Sequence, residues 1–73
     1  MAELKITSEI TGKVWKIEAS VGDRLAEDDQ IIILESMKME IPVVAPRAGV
    51  LMAILVDEND AVKEGQVVAV IDG

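Results

Sequence analysis

Residues 31–44 of the 73-residue chain read IIILESMKMEIPVV. Two apolar runs flank a short polar segment, and this arrangement predicts a β-hairpin. Folding the stretch about the bond between Met37 and Lys38 gives a palindromic register, which places Lys38 at the tip, where a side chain is most exposed. The facing pairs are Leu34 and Ile41, Glu35 and Glu40, and Ser36 and Met39.

The predicted tip departs from the usual chemistry of two-residue turns. Such turns favour positive φ angles at their central residues, and Asn-Gly or Asp-Gly usually supplies them. In such a turn Met37 and Lys38 have to adopt these angles at a cost in free energy, and the predicted register places two like charges opposite each other at Glu35 and Glu40. Departures from local consistency are expected at functional sites, so we favour a functional lysine over an ordinary surface lysine on a tight turn.

The segment Glu35-Ser36-Met37-Lys38-Met39-Glu40 resembles the biotin-attachment signature of biotin carboxyl carrier domains, the biotinyl type of the biotinyl-lipoyl attachment family. That signature is usually Glu-Ala-Met-Lys-Met, and Ser36 replaces its alanine by another small residue that we expect to permit attachment. The resemblance extends from about Ser8 to Asp72. Asp28 departs from the family, which usually has glycine there, and we expect the turn to form with some loss of stability.

The resemblance implies that Lys38 carries biotin in amide linkage on its side-chain nitrogen. It also implies three protein partners: a biotin protein ligase, a biotin carboxylase and a carboxyltransferase. The chain would then be a non-catalytic carrier component of a biotin-dependent carboxylase. We expect the two methionines to form an adaptable apolar collar around the lysine rather than part of the core. The flanking residues expected to contribute to recognition are Glu35, Ser36, Met37, Met39 and Glu40.

Composition disfavours several other classes of function. The chain has no cysteine and no histidine, which removes thiolate metal sites and the usual general base at neutral pH. A formal charge of −7 disfavours nucleic acid and anionic membranes as partners. No apolar run reaches the length of a membrane span, and the N-terminal residues lack the pattern of a signal peptide. We therefore expect a cytoplasmic protein that binds no metal and is not itself an enzyme.

Two alternatives to a biotin carrier remain open. A lipoyl carrier has the same fold, but the tip of that family usually reads Asp-Lys-Ala, whereas residues 37–39 are Met-Lys-Met. An unmodified interaction module of the same fold has no need of the tip motif.

The second half of the sequence repeats the first at a constant offset of 37 residues. Residues that tolerate left-handed φ angles recur at matching turns, because Gly22 corresponds to Asn59 and Asp28 to Gly65. The repeated halves extend over about residues 8–35 and 45–72. Other matched pairs are Gly12 and Gly49, Ile17 and Ile54, Asp23 and Asp60, Ile33 and Val70, and Glu35 and Asp72.

Two copies of a unit too small to bury its own apolar face are expected to pack against each other. We therefore predict one all-β domain over residues 1–73, a flattened barrel-sandwich of two antiparallel sheets with strands from both halves in each. The resemblance implies the same fold, that of a biotinyl-lipoyl-attachment domain. Pseudo-two-fold symmetry places the Lys38 hairpin at one end and the termini near the other. We expect Trp15 to be a packing residue, and residues 50–56 to form a strand buried on both faces or on one face beside a contact patch.

Overall fold

Eight β-strands make up the regular structure of residues 3–73, the part of the chain that the computed structural model describes. Residues 1 and 2, which the predicted domain includes, lie outside it. None of the described residues belongs to a helix long and apolar enough to cross a membrane. The strands are β1 (Glu3–Thr7), β2 (Gly12–Ile17), β3 (Arg24–Leu25), β4 (Gln30–Ser36), β5 (Met39–Val44), β6 (Gly49–Ile54), β7 (Ala61–Val62) and β8 (Val67–Asp72).

The strands form two four-stranded sheets in which every neighbouring pair is antiparallel. One sheet has the order β1-β8-β6-β3 and the other has the order β5-β4-β2-β7. Each sheet therefore contains two strands from each half of the sequence. The predicted all-β fold of two antiparallel sheets is confirmed.

Hydrogen bonds between the halves recur at the 37-residue offset. The Gly22 N–H donates to the Leu51 carbonyl oxygen at 2.8 Å, and the Asn59 N–H donates to that of Val14 at 2.8 Å. In each half, the turn that contains Gly22 or Asn59 is therefore hydrogen-bonded to a strand of the other half. The side-chain caps recur as well, because the Ser20 and Asp57 N–H groups donate to carboxylates three residues further on, each at 2.9 Å.

The backbone angles at the matched turns agree with the repeat. Gly22 and Asn59 have φ angles of 97° and 75°, and Asp28 and Gly65 have φ angles of 72° and 86°. All four lie in the region that glycine, asparagine and aspartate tolerate best. The two halves therefore turn in the same sense at the same places, as the sequence predicts.

Aliphatic side chains from both halves fill the space between the sheets. The largest fully buried apolar side chains are Ile31, Ile32, Leu34, Leu51, Ile71, Val14, Val62 and Val68. Ile17 and Ile54 occupy equivalent positions, as do Ile33 and Val70, but all four are only half-buried.

A β-bulge in each sheet places one apolar side chain at the surface. The pairing of β2 with β4 shifts between Val14 and Lys16, and the pairing of β6 with β8 shifts between Leu51 and Ala53. The residues in these gaps, Trp15 and Met52, are 47% and 46% exposed. Trp15 is therefore not a core residue, and β6 is not buried on both faces. Both residues are unpaired at their bulges, and their side chains lie on the solvent side of the sheet.

Candidate functional site: the Lys38 hairpin

The β4–β5 hairpin has the palindromic register that the sequence predicts. Its cross-strand pairs include Leu34 with Ile41, Glu35 with Glu40, and Ser36 with Met39. The two residues of the turn, Met37 and Lys38, have φ angles of 51° and 65°. Positive φ at both positions is the requirement of a type I′ turn, which matches the right-handed twist of its strands. The turn is thus formed by two residues that do not favour it.

The side chains at the tip project into solvent. Met37 is 92% exposed and Met39 is 62% exposed, so neither methionine is a core residue. Lys38 is exposed between them, and Ser36 is half-buried at the base of the turn. The outcome is an accessible amine bordered by two flexible apolar side chains.

A lysine on a neighbouring strand lies opposite one of the like charges beside the tip. Glu35 lies opposite Glu40 on β5 and opposite Lys13 on β2. Directly opposite residues share one face of a sheet, and oppositely charged pairs there contribute about 0.2–1 kcal/mol. Sequence reasoning did not identify Lys13 as part of the site, because only the strand order of the sheet brings it next to Glu35.

The lack of a side chain at Gly12 allows β2 to approach the backbone of the hairpin closely. A Cβ atom at this position would lie 2.7 Å from the backbone oxygen of Glu35 and 3.4 Å from both Ser36 Cβ and Ile10 Cδ1. Gly49 shows the same approach in the second half, where a Cβ would lie 2.8 Å from the backbone oxygen of Asp72. The matched glycines were a signal in the sequence, but their role in strand contact was not predicted.

The chain matches the family model described as "Biotin-requiring enzyme" over residues 2–71, and it belongs to this family. It is similar to the biotin/lipoyl attachment protein of Bacillus subtilis, with 39% identity over 64 residues that cover 88% of each chain. It is also similar to the biotinylated protein TB7.3 homolog of Mycobacterium leprae, with 41% identity over 71 residues, 97% of this chain and 99% of that one. Family membership confirms the resemblance stated from the sequence.

Among solved structures, the urea carboxylase of Kluyveromyces lactis is similar in both fold and sequence. The TM-score is 0.94 and the identity 40%, over 99% of this chain but only 6% of the carboxylase. The chain therefore spans most of the length of the two small relatives, and a small part of this large carboxylase.

Proposed function

We propose that the chain is a biotin carboxyl carrier in which Lys38 is the residue that becomes biotinylated. The observation that carries this proposal is the exposed Lys38 at the tip of a two-residue turn, between Met37 at 92% and Met39 at 62% exposure. Acylation needs an amine that a modifying enzyme can surround, and a hairpin tip offers one. Membership of the biotin-requiring family supports the choice of cofactor. On this proposal residues 1–73 form one attachment domain.

The only covalent bond that the chain itself has to form is the amide bond between Lys38 and biotin. Lys38 Nζ attacks the carboxyl carbon of biotin that a ligase has activated with ATP, loses a proton to give a neutral amide, and displaces AMP. Biotin, once bound, supplies the capacity to carry a carboxyl group between a biotin carboxylase and a carboxyltransferase. Nothing in this scheme needs a catalytic group from the chain, which has no histidine or cysteine.

The hairpin would fix the origin of the arm while leaving the arm free. The β4–β5 pairing continues up to Ser36 and Met39, so the backbone is held on both sides of the turn, and the lysine side chain rotates from a defined point. Tethering raises the effective concentration of the carried group at two active sites.

Recognition by the partners falls to the side chains around Lys38. We infer that Met37 and Met39 give a partner apolar surface to desolvate. We also infer that the exposed carboxylates of Glu35 and Glu40, together with the half-buried Ser36, orient the lysine in a partner's active site. The three proposed partners are the ligase, the biotin carboxylase and the carboxyltransferase.

Intact mass after co-expression with a biotin ligase tests the proposal. We expect the mass increment of one biotin and a positive streptavidin blot, both lost in Lys38→Arg, which keeps the charge but removes the acylable amine. A signal that persists in Lys38→Arg contradicts the proposal. So does biotin mapped to another lysine, namely Lys5, Lys13, Lys16 or Lys63.

Lipoylation is the second candidate, because the name of the Bacillus subtilis relative covers both groups. Incubating the unmodified chain with lipoate, ATP and a lipoate ligase distinguishes the two. A lipoyl mass increment on Lys38, with no biotin increment in the parallel reaction, favours the lipoyl carrier. Neither increment, from ligases shown to be active on a control carrier, favours an unmodified interaction module.

A further inference from the structure

A groove lined mainly by apolar residues, together with Lys5, Thr7 and Glu9, separates the free edges of the two sheets. It has a volume of about 330 Å³ and lies between β1 and β5, each of which pairs with a strand on one side only within residues 3–73. Most of its lining consists of residue pairs related by the 37-residue repeat, such as Leu4 with Ile41 and Ile6 with Val43. The pseudo-two-fold axis therefore crosses the groove and relates one part of its lining to the other.

The groove departs from this symmetry at the lysine end. Its remaining lining residues are Ile10 and Leu34, whereas their counterparts Arg47 and Ile71, which the structure also describes, do not line it. Ile10 lies next to the hairpin, because a Cβ on Gly12 would be 3.4 Å from both Ile10 Cδ1 and Ser36 Cβ. At the opposite end, the Arg47 Nη2 donates to the Gly73 carbonyl oxygen at 3.3 Å. The groove is thus extended by apolar side chains toward the hairpin that carries Lys38.

We propose that this groove binds the bicyclic ring of the biotin that Lys38 carries, so that the arm has a docked state on its own domain. The proposal rests on the function proposed above. Ile41, which lines the groove, is three residues from Lys38. The two Cα atoms are at most about 11 Å apart, because extended backbone spans about 3.6 Å per residue. A lysine side chain continued by the valeryl chain of biotin is long enough to fold back over this distance.

The lining suits this ligand in size and chemistry. A volume of about 330 Å³ lies at the small end of the range for ligand pockets, as a compact bicyclic ring requires. Ile6, Ile10 and Ile41 offer aliphatic surface to the hydrocarbon and thioether parts of the ring. β1 is an edge strand, so alternate backbone N–H and C=O groups along its open side are able to bond the ureido group.

The opposite wall disfavours a peptide strand as the occupant. Strand addition at a sheet edge requires a continuous row of backbone donors and acceptors. Pro42 lies within the edge strand β5 and Pro46 follows that strand, and neither residue has an N–H to donate. A small group that bonds mainly to β1 fits this edge better than an added strand.

Methyl NMR of the unmodified and biotinylated chains tests the docked state directly. We expect nuclear Overhauser contacts between the biotin ring and the δ1 methyl groups of Ile6, Ile10 and Ile41. Ile17 and Ile54, which are half-buried outside the groove, serve as internal controls and should show none. Ile6 is the decisive residue, because it is buried and, unlike Ile41, is not close to Lys38 in the sequence. A contact between the ring and Ile6 therefore requires the ring to lie in the groove.

A matched pair of variants exploits the repeat. Ile10→Arg introduces the residue found at the equivalent position of the other half, and Arg47→Ile makes the reverse change at the far end. Streptavidin capture reports the free arm, because only the undocked fraction is accessible. If half of the arms are docked, Ile10→Arg should accelerate capture by about twofold, and Arg47→Ile should leave the rate unchanged.

Intact mass separates failure of this proposal from failure of the proposed function. If Lys38 gains no biotin, the proposed function fails, and the groove proposal fails with it. If the chain is biotinylated but the ring contacts no groove methyl group, the docked state alone is refuted. Equal capture rates for the native chain and a folded Ile10→Arg variant also refute it. Ring contacts confined to the groove in the native chain support it even if Ile10→Arg does not fold.

Discussion

Replacing Asp28 by glycine should stabilise the domain. Asp28 has a φ angle of 72°, while its counterpart Gly65 adopts 86° and has no atom within 4 Å of the position that a Cβ would take. The Asp28 N–H donates to the Ala45 carbonyl oxygen at 2.8 Å, and glycine retains this backbone bond. The carboxylate that caps the turn belongs to Asp29, whose Oδ2 accepts from the Ala26 N–H at 2.9 Å. Asp28→Gly therefore changes the backbone preference and leaves these bonds in place.

The size of the effect is a difference between two opposing contributions. A left-handed conformation costs an L-residue about 1–2 kcal/mol, and aspartate less than most because its short side chain bonds locally. Glycine lowers stability by about 0.4–1 kcal/mol through the greater freedom of the unfolded chain. We expect a net gain of at most about 1 kcal/mol in the free energy of unfolding, or a rise in Tm of at most about 8 °C.

Urea denaturation of four proteins decides the matter. They are the native chain, Asp28→Gly, Asp28→Asn and Gly65→Asp. Asp28→Asn removes the charge but keeps a residue that tolerates left-handed φ, so it should fall close to the native chain. Gly65→Asp should lose stability. A clear loss in Asp28→Gly would mean that the aspartate side chain makes a stabilising bond. If Asp28→Asn gained as much stability as Asp28→Gly, the loss of the charge, and not the backbone conformation, would be the cause.

Four further substitutions test the site. Met37→Ala and Met39→Ala should shift the free energy of unfolding by less than about 0.5 kcal/mol, because exposed positions contribute little to stability. They should instead slow the ligation of biotin, its carboxylation or carboxyl transfer. A much lower Tm with normal reaction rates would show that the two methionines are structural residues. Gly12→Ala should cost about 1–3 kcal/mol in denaturant melts, because its Cβ would lie 2.7 Å from the backbone oxygen of Glu35, and an unchanged midpoint would refute that contact. Lys13→Ala should cost about 0.2–1 kcal/mol and less in high salt, whereas a gain would show that Lys13 does not compensate its acidic neighbour.

The hairpin was predictable from sequence because side chains alternate with a period of two along a strand. A shift of one residue would move the buried Leu34 out of the core, so the apolar character of this strand position fixes the register. The matched turns were predictable for a similar reason, since few residues tolerate the φ angles at Asp28 and Asn59.

The bulges and the partners across each sheet were not predictable in this way. Trp15 follows a buried valine and precedes a lysine. Nothing in this order of residues indicates that β2 carries one residue without a partner on β4. The position of Lys13 beside Glu35 depends on which strand pairs with the edge of β4 that faces away from β5. That pairing is a long-range property of the sheet. The groove likewise arises from two edge strands that are distant in sequence.

The exchange of strands between the two sheets determines how the chain can fold. β1 has its partner in β8, near the other end of the described chain, and the first turn of each half bonds a strand of the opposite half. Long loops must close before these contacts form, so we expect folding on the slow scale of sheet proteins, from milliseconds to seconds. During synthesis, β1 lacks its partner until β8 has left the ribosome. The lysine-bearing hairpin is local, but the sheets beneath it are complete only when the whole sequence is available, so a ligase that requires the folded domain acts after translation of this segment has ended.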